Sequence, residues 1–279
     1  MKNTLFILLI IMPLFVSAQV LTKGKIVFVS KTKDGKSAIF LSNIIDNNER
    51  LLTEGDLPAI SPNGKYITYI QSYTPRTGGD LCVMNISNGI TKKLISKNAC
   101  NHQWSPDSKH IVFEKWSDTH CEIQVIDING TNLKKIISNY QNPSWSPNGK
   151  EMAIVNNHQL YILNLISKKT NKIADNFDAI ERLPVWSPDG TKIAFQAETE
   201  ISHGPMIYYI DIVSGKEHFV TNYLSDRFCW LSDNQIIYEV NVKEDKGNSQ
   251  LAVININGTG NRIFTNSERE HFWPSYTKD

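Results

Sequence analysis

The chain has almost no charge of either sign in excess: 29 Lys and Arg stand against 28 Asp and Glu, a formal net charge of +1 over 279 residues. Nucleic acids and anionic surfaces select for a basic surplus, and the lysines here are scattered over turn positions, so those partner classes are excluded. Cysteine is also scarce. Cys82, Cys100, Cys121 and Cys229 fall in different strands and loops, which argues for buried free thiols rather than a disulfide framework. No Gly-x-Ser-x-Gly elbow, no His-Glu-x-x-His and no glycine-rich phosphate loop occurs, so the usual signatures of a serine hydrolase, a zinc protease and a nucleotide-binding domain are missing. Beyond residue 15 no apolar run approaches the roughly 20 residues that a bilayer-spanning helix needs.

What is present begins with a leader. Met1-Lys2-Asn3 is short and positive, Leu5 to Phe15 is apolar, and Val16-Ser17-Ala18 offers small residues for cleavage before Gln19. This is the pattern of a secretory signal peptide. The expected organisation is a signal over 1–18 and a mature domain over 19–279, periplasmic or secreted, with no membrane span after cleavage.

The mature chain is built on a phrase that returns. Trp104-Ser105-Pro106-Asp107-Ser108-Lys109, Trp145-Ser146-Pro147-Asn148-Gly149-Lys150 and Trp186-Ser187-Pro188-Asp189-Gly190-Thr191-Lys192 are its clearest copies. Ile60-Ser61-Pro62-Asn63-Gly64-Lys65 precedes them and a worn copy starts at Trp230. Successive serines from Ser61 to Ser187 lie 44, 41 and 41 residues apart, a period that marks a repeat architecture. Pro presets φ for a turn, Asp or Asn tolerates the left-handed region, and Gly enters it without steric cost. Apolar runs rich in β-branched and aromatic residues follow, such as Ile111-Val112-Phe113 and Ile193-Ala194-Phe195. The phrase therefore reads as a structural hairpin turn.

A third strand and a second turn recur as well, in Ile123 to Gly130 and Ile207 to Gly215, and a short outer strand comes after each. Four short strands per repeat compose a propeller blade. Second strands start near 25, 65, 109, 150, 191 and 235, and an inner strand at 273–276 has no partner of its own. The expectation is an all-β, six-bladed propeller, closed by pairing of that C-terminal strand with the N-terminal blade.

On these residues the chain resembles the TolB-like β-propeller family, whose repeats carry the Trp-Ser-Pro-Asp-Gly-Lys phrase; the resemblance covers 21–279. The name-giving member has an additional α/β domain before its propeller, for which this chain leaves no length. Propeller-capped prolyl peptidases share similar repeats, but the missing nucleophile elbow weighs against them. Related lyases that cut pectic oligosaccharides hold a manganese with His and Gln at the channel. Here His102, His120, His203 and His271 are expected near one rim, too scattered for a metal site.

Alternation of strand direction puts the uniform hairpins on one face of the disc. The longer, varied loops 71–79, 115–119, 197–205 and 241–249 fall on the other, and varied loops are where function concentrates. The residues expected to ring the channel mouth on that face are Asp56, Asn101, Asn142, Arg182, Arg227 and Trp273. Such a ring suits a carboxylate or an acidic sugar. The reading is an exported, non-catalytic binding or scaffold propeller without cofactor. It is expected to be monomeric and to hold a protein or peptide partner of the cell envelope at this mouth. The alternative is a carbohydrate-active enzyme such as a metal-assisted oligosaccharide lyase.

Overall fold

The turn phrase folds the same way in each copy. In the computed structural model Ser105 Oγ donates to Asp107 Oδ1 (2.6 Å) and accepts from the His110 amide (2.9 Å), while the Lys109 amide donates to Asp107 Oδ1 (3.0 Å). Ser61 with Asn63, Ser146 with Asn148 and Ser187 with Asp189 repeat the pattern. These bonds hold the Asp189 carboxyl down to about 2 against its partial burial. The fourth turn residue needs a left-handed backbone, supplied by Gly64, Gly149 and Gly190 at φ of 65°, 69° and 71°, and by Ser108 at 60°.

The structure describes residues 23–43, 48–117, 120–174, 179–198, 206–221, 227–242, 249–265 and 269–278, and over 179–183 the backbone alone. The signal over 1–18 lies outside these residues. In chain order the strands are β1 (Gly24–Lys31), β2 (Ser37–Asn43), β3 (Arg50–Glu54), β4 (Asp56–Ile60), β5 (Tyr66–Thr74), β6 (Gly78–Asn85), β7 (Thr91–Trp104) and β8 (His110–Trp116). They continue with β9 (Cys121–Asp127), β10 (Lys134–Ser138), β11 (Gln141–Trp145), β12 (Glu151–Asn156), β13 (Gln159–Asn164), β14 (Thr170–Lys172), β15 (Ala179–Trp186) and β16 (Lys192–Glu198). The last are β17 (Met206–Asp211), β18 (Glu217–Thr221), β19 (Phe228–Ser232), β20 (Gln235–Asn241), β21 (Ser249–Asn255), β22 (Arg262–Ile263) and β23 (Phe272–Lys278).

The all-β propeller class holds, but the blade count does not. Four sheets are separate four-stranded blades, β23-β1-β2-β3, β11 to β14, β15 to β18 and β19 to β22, whereas β4 to β10 form one seven-stranded sheet. The expected six equal blades are therefore replaced by four separate blades and one continuous sheet. The cause is β7, which does not break. It pairs with β6 from Thr91 to Ala99 and with β8 from Ala99 to Trp104. It bends through Lys97, Asn98 and Asn101 at φ of 57°, 58° and 44°. Asp80 Oδ1 accepts the Lys97 amide at 2.8 Å to hold the bend. Gly78 lets β6 run that far, because a Cβ there would meet the Ala99 carbonyl oxygen at 2.4 Å. At the corresponding crossings Gly55 (φ 147°) and Asn139 (φ 66°) interrupt the strand instead.

Around the channel the inner strands follow one another as β4, β7, β11, β15, β19 and β23. The core lies between neighbouring sheets: Trp186, Ile193 and Phe195 pack on Ala153, Val155 and Leu160, and Ile26 and Phe28 pack on Ile237, Leu251 and Val253. β23 lies antiparallel to β1, with Ile26 opposite Tyr276. His271, fully buried ahead of β23, lies 4.8 Å from the Phe28 ring and bonds Glu49 Oε1 at 2.8 Å. The chain ends thus join through main-chain pairing and one polar latch.

Removing residues 271–279 should strip β1 of its partner and expose its inner edge; a truncated chain that melts with the intact one would refute the dependence on closure. The latch has its own pH signature. The His271 hydrogen bond holds the Glu49 carboxyl below its ordinary range, against a smaller opposing effect of burial. A depressed carboxylate contributes stability above its unfolded pKa and loses it as pH falls through the folded value. Glu49→Gln should cost roughly 1 kcal/mol at neutral pH, the pair being part-exposed and screened. Denaturant titrations should show that difference shrinking as pH falls through the carboxylate range.

Candidate functional site

The ring at the long-loop mouth is set by one recurring backbone irregularity. Three residues before Ile60, Trp104, Trp145, Trp186, Trp230 and Tyr276, the matching residues of the inner strands, stand Leu57, Asn101, Asn142, Leu183, Arg227 and Trp273. Leu57, Asn101, Asn142 and Trp273 have positive φ, between 44° and 52°. The ladder slips there too, between Asp56 and Ala59, Cys100 and Gln103, Gln141 and Ser144, and Arg182 and Val185. Such bulges re-aim a side chain where a strand meets a rim. Four of the six expected ring residues occupy this position. Asp56 and Arg182 fall one residue early, with Leu57 and Leu183 in register instead.

Three of the expected residues meet. Asn101 Nδ2 donates to Asn142 Oδ1 at 3.1 Å and to Glu114 Oε1 at 2.9 Å, and Arg227 Nη2 donates to Asn101 Oδ1 at 3.0 Å. Arg227 precedes β19, whose inner neighbours are β15 and β23, while Asn101 is in β7 between β4 and β11. The guanidinium therefore reaches across the channel. Trp273 stands apart, its ring edge-on to Tyr73 at 6.1 Å. Asp56 is also apart, its carboxyl raised by burial against a Ser37 hydrogen bond and the charge of Lys31. The Arg182 side chain lies outside the described residues.

Glu114, which the ring argument misses, anchors the cluster. It is 1% exposed. Its Oε1 accepts the Asn142 amide as well as Asn101 Nδ2, and its Oε2 accepts Trp116 Nε1 at 2.8 Å and Cys100 Sγ at 3.4 Å. Burial and this carboxylate raise the thiols of Cys100 and Cys121. The sequence signal is weak: Glu114 ends the apolar run Ile111-Val112-Phe113 where β5 and β12 have Ile70 and Val155, but β16 and β20 have Gln196 and Glu239 at the same place. Burial, assisted by the Arg227 charge, pushes the His102 imidazole down to about 3, so it is neutral. The described histidines do not converge. His102 lies in the wall, His120 is on the surface beside Ser117 and Glu122, and His271 is in the latch. His203 lies outside the described residues, and among those described no three His, Cys, Asp or Glu side chains are placed to hold a metal ion.

The other end of the channel is open. A cavity of about 450 Å³ lies toward the hairpin face, walled by Ile60, Trp104, Trp145, Trp186, Trp230 and Tyr276. Pro62, Pro106, Pro147 and Pro188 form its lip, and Ala59, Gln103, Val185, Cys229 and Ser275 lie deeper. Trp104 Nε1 donates to the Ala59 carbonyl and Trp230 Nε1 to the Val185 carbonyl, both at 2.9 Å. The indole N–H groups of Trp145 and Trp186 meet no acceptor among the described residues. All four cysteines are free thiols; burial raises that of Cys229, in this cavity, to about 12.

Glu114→Gln should place an amide N–H against donors and cost about 2–3 kcal/mol, as expected when a buried, hydrogen-bonded carboxylate is lost. Urea unfolding measures it. A neutral outcome would show that the cluster does not depend on the charge.

Comparison with known proteins places this geometry. A family model described as the TolB beta propeller domain matches residues 98–278. The dipeptidyl-peptidase 5 of Porphyromonas gingivalis is 28% identical over 106 residues, 36% of this chain and 16% of that enzyme, so the chain spans only a small part of this relative. Among solved structures, TolB from Acinetobacter baumannii superposes with a TM-score of 0.78 at 18% identity, over 91% of this chain and 67% of that one. An oligogalacturonate lyase in complex with manganese gives 0.59 at 14% identity, over 84% and 72% of the two chains. At these identities the structural likeness is one of fold.

Proposed function

The chain belongs to the TolB β-propeller domain family, and from that premise we propose that it is an exported binding propeller. It holds a protein or peptide partner of the cell envelope at the channel mouth on its long-loop face, and performs no chemistry of its own. The observation that carries this reading is the cluster of Asn101, Asn142 and Arg227 on the buried Glu114. Residues from different sheets arrive at one point already oriented, which lowers the ordering cost of binding. A guanidinium flanked by amides matches a carboxylate, and Trp273, edge-on to Tyr73, adds an aromatic group elsewhere on the same rim. Glu114 supports the same reading. Both its oxygens are engaged by donors, so it positions its neighbours rather than standing ready to move a proton. The partner class is thus a segment with a free or side-chain carboxylate. Periplasmic or secreted localisation follows from the leader, whose residues lie outside the structure described.

The test is an array of short peptides in free-acid and amidated forms, probed with the mature chain. Free-acid or acidic peptides should be retained over amidated neutral ones. A double variant, Arg182→Ala with Arg227→Ala, should keep its β-sheet circular dichroism and lose retention about tenfold or more, the size of one charge-assisted contact. Equal retention by the variant would sink the reading. Loss on changing Lys150 and Lys192 instead would move the site to the opposite face.

A further inference from the structure

We infer that the hairpin-face cavity is a second binding site, for a small amphiphilic anion with one ring-sized apolar body and one carboxylate or similar head. This site is separate from the long-loop mouth and does not depend on the partner proposed there.

The cavity has the capacity of a small-ligand site, about 450 Å³, with aromatic walls. It is also closed at depth. Below the ring of Ala59, Gln103, Val185, Cys229 and Ser275 the bore is crossed by Arg227 on its way to Asn101. A ligand therefore comes in from the hairpin side and stops there. The wall is largely preformed: the four turns at Ser61, Ser105, Ser146 and Ser187 are each tied by their own Ser and Asx bonds and lipped by a proline, so little ordering remains for binding to pay.

The same face is poorly made for a polypeptide. Adding a strand needs free inner-edge amides, and two of these are taken. The Ile60 amide donates to Ser275 Oγ at 3.1 Å and the Trp145 amide to Gln103 Oε1 at 2.7 Å.

Charge selects the head group. Lys23, Lys65, Lys109, Lys150 and Lys278 stand exposed on this face at turn and strand ends, with Lys25 and Lys192 half-buried beside them. Six carboxylates among the described residues stand with them. Those of Asp107 and Asp189 accept from their own turns, Asp189 also lying 3.6 Å from Lys192 Nζ; Asp233 accepts the Asp189 amide at 2.9 Å, Glu151 follows Lys150, and Asp127 and Asp211 stand opposite His110 and Lys192. The seven lysines are thus only narrowly in excess of carboxylates, and those at Lys65, Lys109 and Lys150 are the exposed ones at the turns. An apolar body buried among the indoles leaves its anionic head at this collar, where the lysines need not be desolvated.

The probes are 4-phenylbutyrate, its neutral analogue 4-phenylbutanol, and acetate, titrated into the mature chain by calorimetry and tryptophan emission. Phenylbutyrate should bind with a change in emission, at least tenfold more tightly than phenylbutanol, and acetate should give no response. The exposed triple variant Lys65→Glu, Lys109→Glu, Lys150→Glu should keep its melting temperature and weaken phenylbutyrate about tenfold or more. Cys229→Phe, which fills the floor, should abolish the emission change. Absence of any response at millimolar phenylbutyrate would overturn the inference. So would equal affinity for the alcohol, or binding indifferent to the charge reversal. A response that survives Cys229→Phe but is lost in Arg227→Ala would also overturn it, placing the anion at the long-loop mouth.

Discussion

A strand that lines a central channel has one edge with no sheet partner, and its amide and carbonyl groups must find other company or water. Most of the architecture of this protein answers that constraint. Ser275 and Gln103 turn their oxygens to the amides of Ile60 and Trp145 on the next inner strand. Trp104 and Trp230 turn their indole N–H groups to the carbonyls of Ala59 and Val185 on the preceding one. Each inner strand is thereby tied to its neighbour by side chains where no ladder is available. The ring is completed by β23, which brings Tyr276 opposite Ile26 and places Thr277 Oγ1 on the Pro62 carbonyl at 2.8 Å. Trp104 and Trp230 therefore have two duties: they tie inner strands together, and with Trp145 and Trp186 they wall the hairpin-side cavity.

The two ends of the channel differ because their polar groups are managed differently. Toward the hairpins the wall is apolar and the turns are closed on themselves, which leaves open volume. Toward the long loops the bulged residues bring amides and a guanidinium inward, and a buried carboxylate collects them. Glu114 requires donors once it is out of water, and Asn101, the Asn142 amide and Trp116 supply them. Arg227 then reaches Asn101 from across the bore. One short network closes the channel at that end.

Much of this was legible in the residues. The Ser-Pro-Asx-Gly turns, the second strands that follow them and the unpaired strand near 273 are local patterns with local causes, and they stand where the spacing placed them. The ring residues were half legible. Asn101, Asn142, Arg227 and Trp273 occupy the position, whereas Asp56 and Arg182 stand one residue before it and Leu57 and Leu183 take it; the bulge that marks the position shows only in the ladder register, not in composition. Glu114 was visible as a carboxylate in an apolar strand, but its meaning depends on donors from residues 100 to 142 that come together only in the folded ring. The continuous sheet from β4 to β10 was not legible. It rests on the passage of β7 beside Gly78, and a glycine in a loop looks the same whether or not another backbone comes within 2.4 Å of where its Cβ would be.

The sequence by itself determined the strand period, the turn chemistry, the all-β propeller class and the family, because each depends on interactions within a few residues or on repetition of one unit. Tertiary structure decided the division into sheets, the side of the channel that stays open, and the meeting of Arg227 with Asn101. These depend on which backbones approach closely and which buried polar groups find partners across the ring, and such distances exist only once the chain has closed on itself.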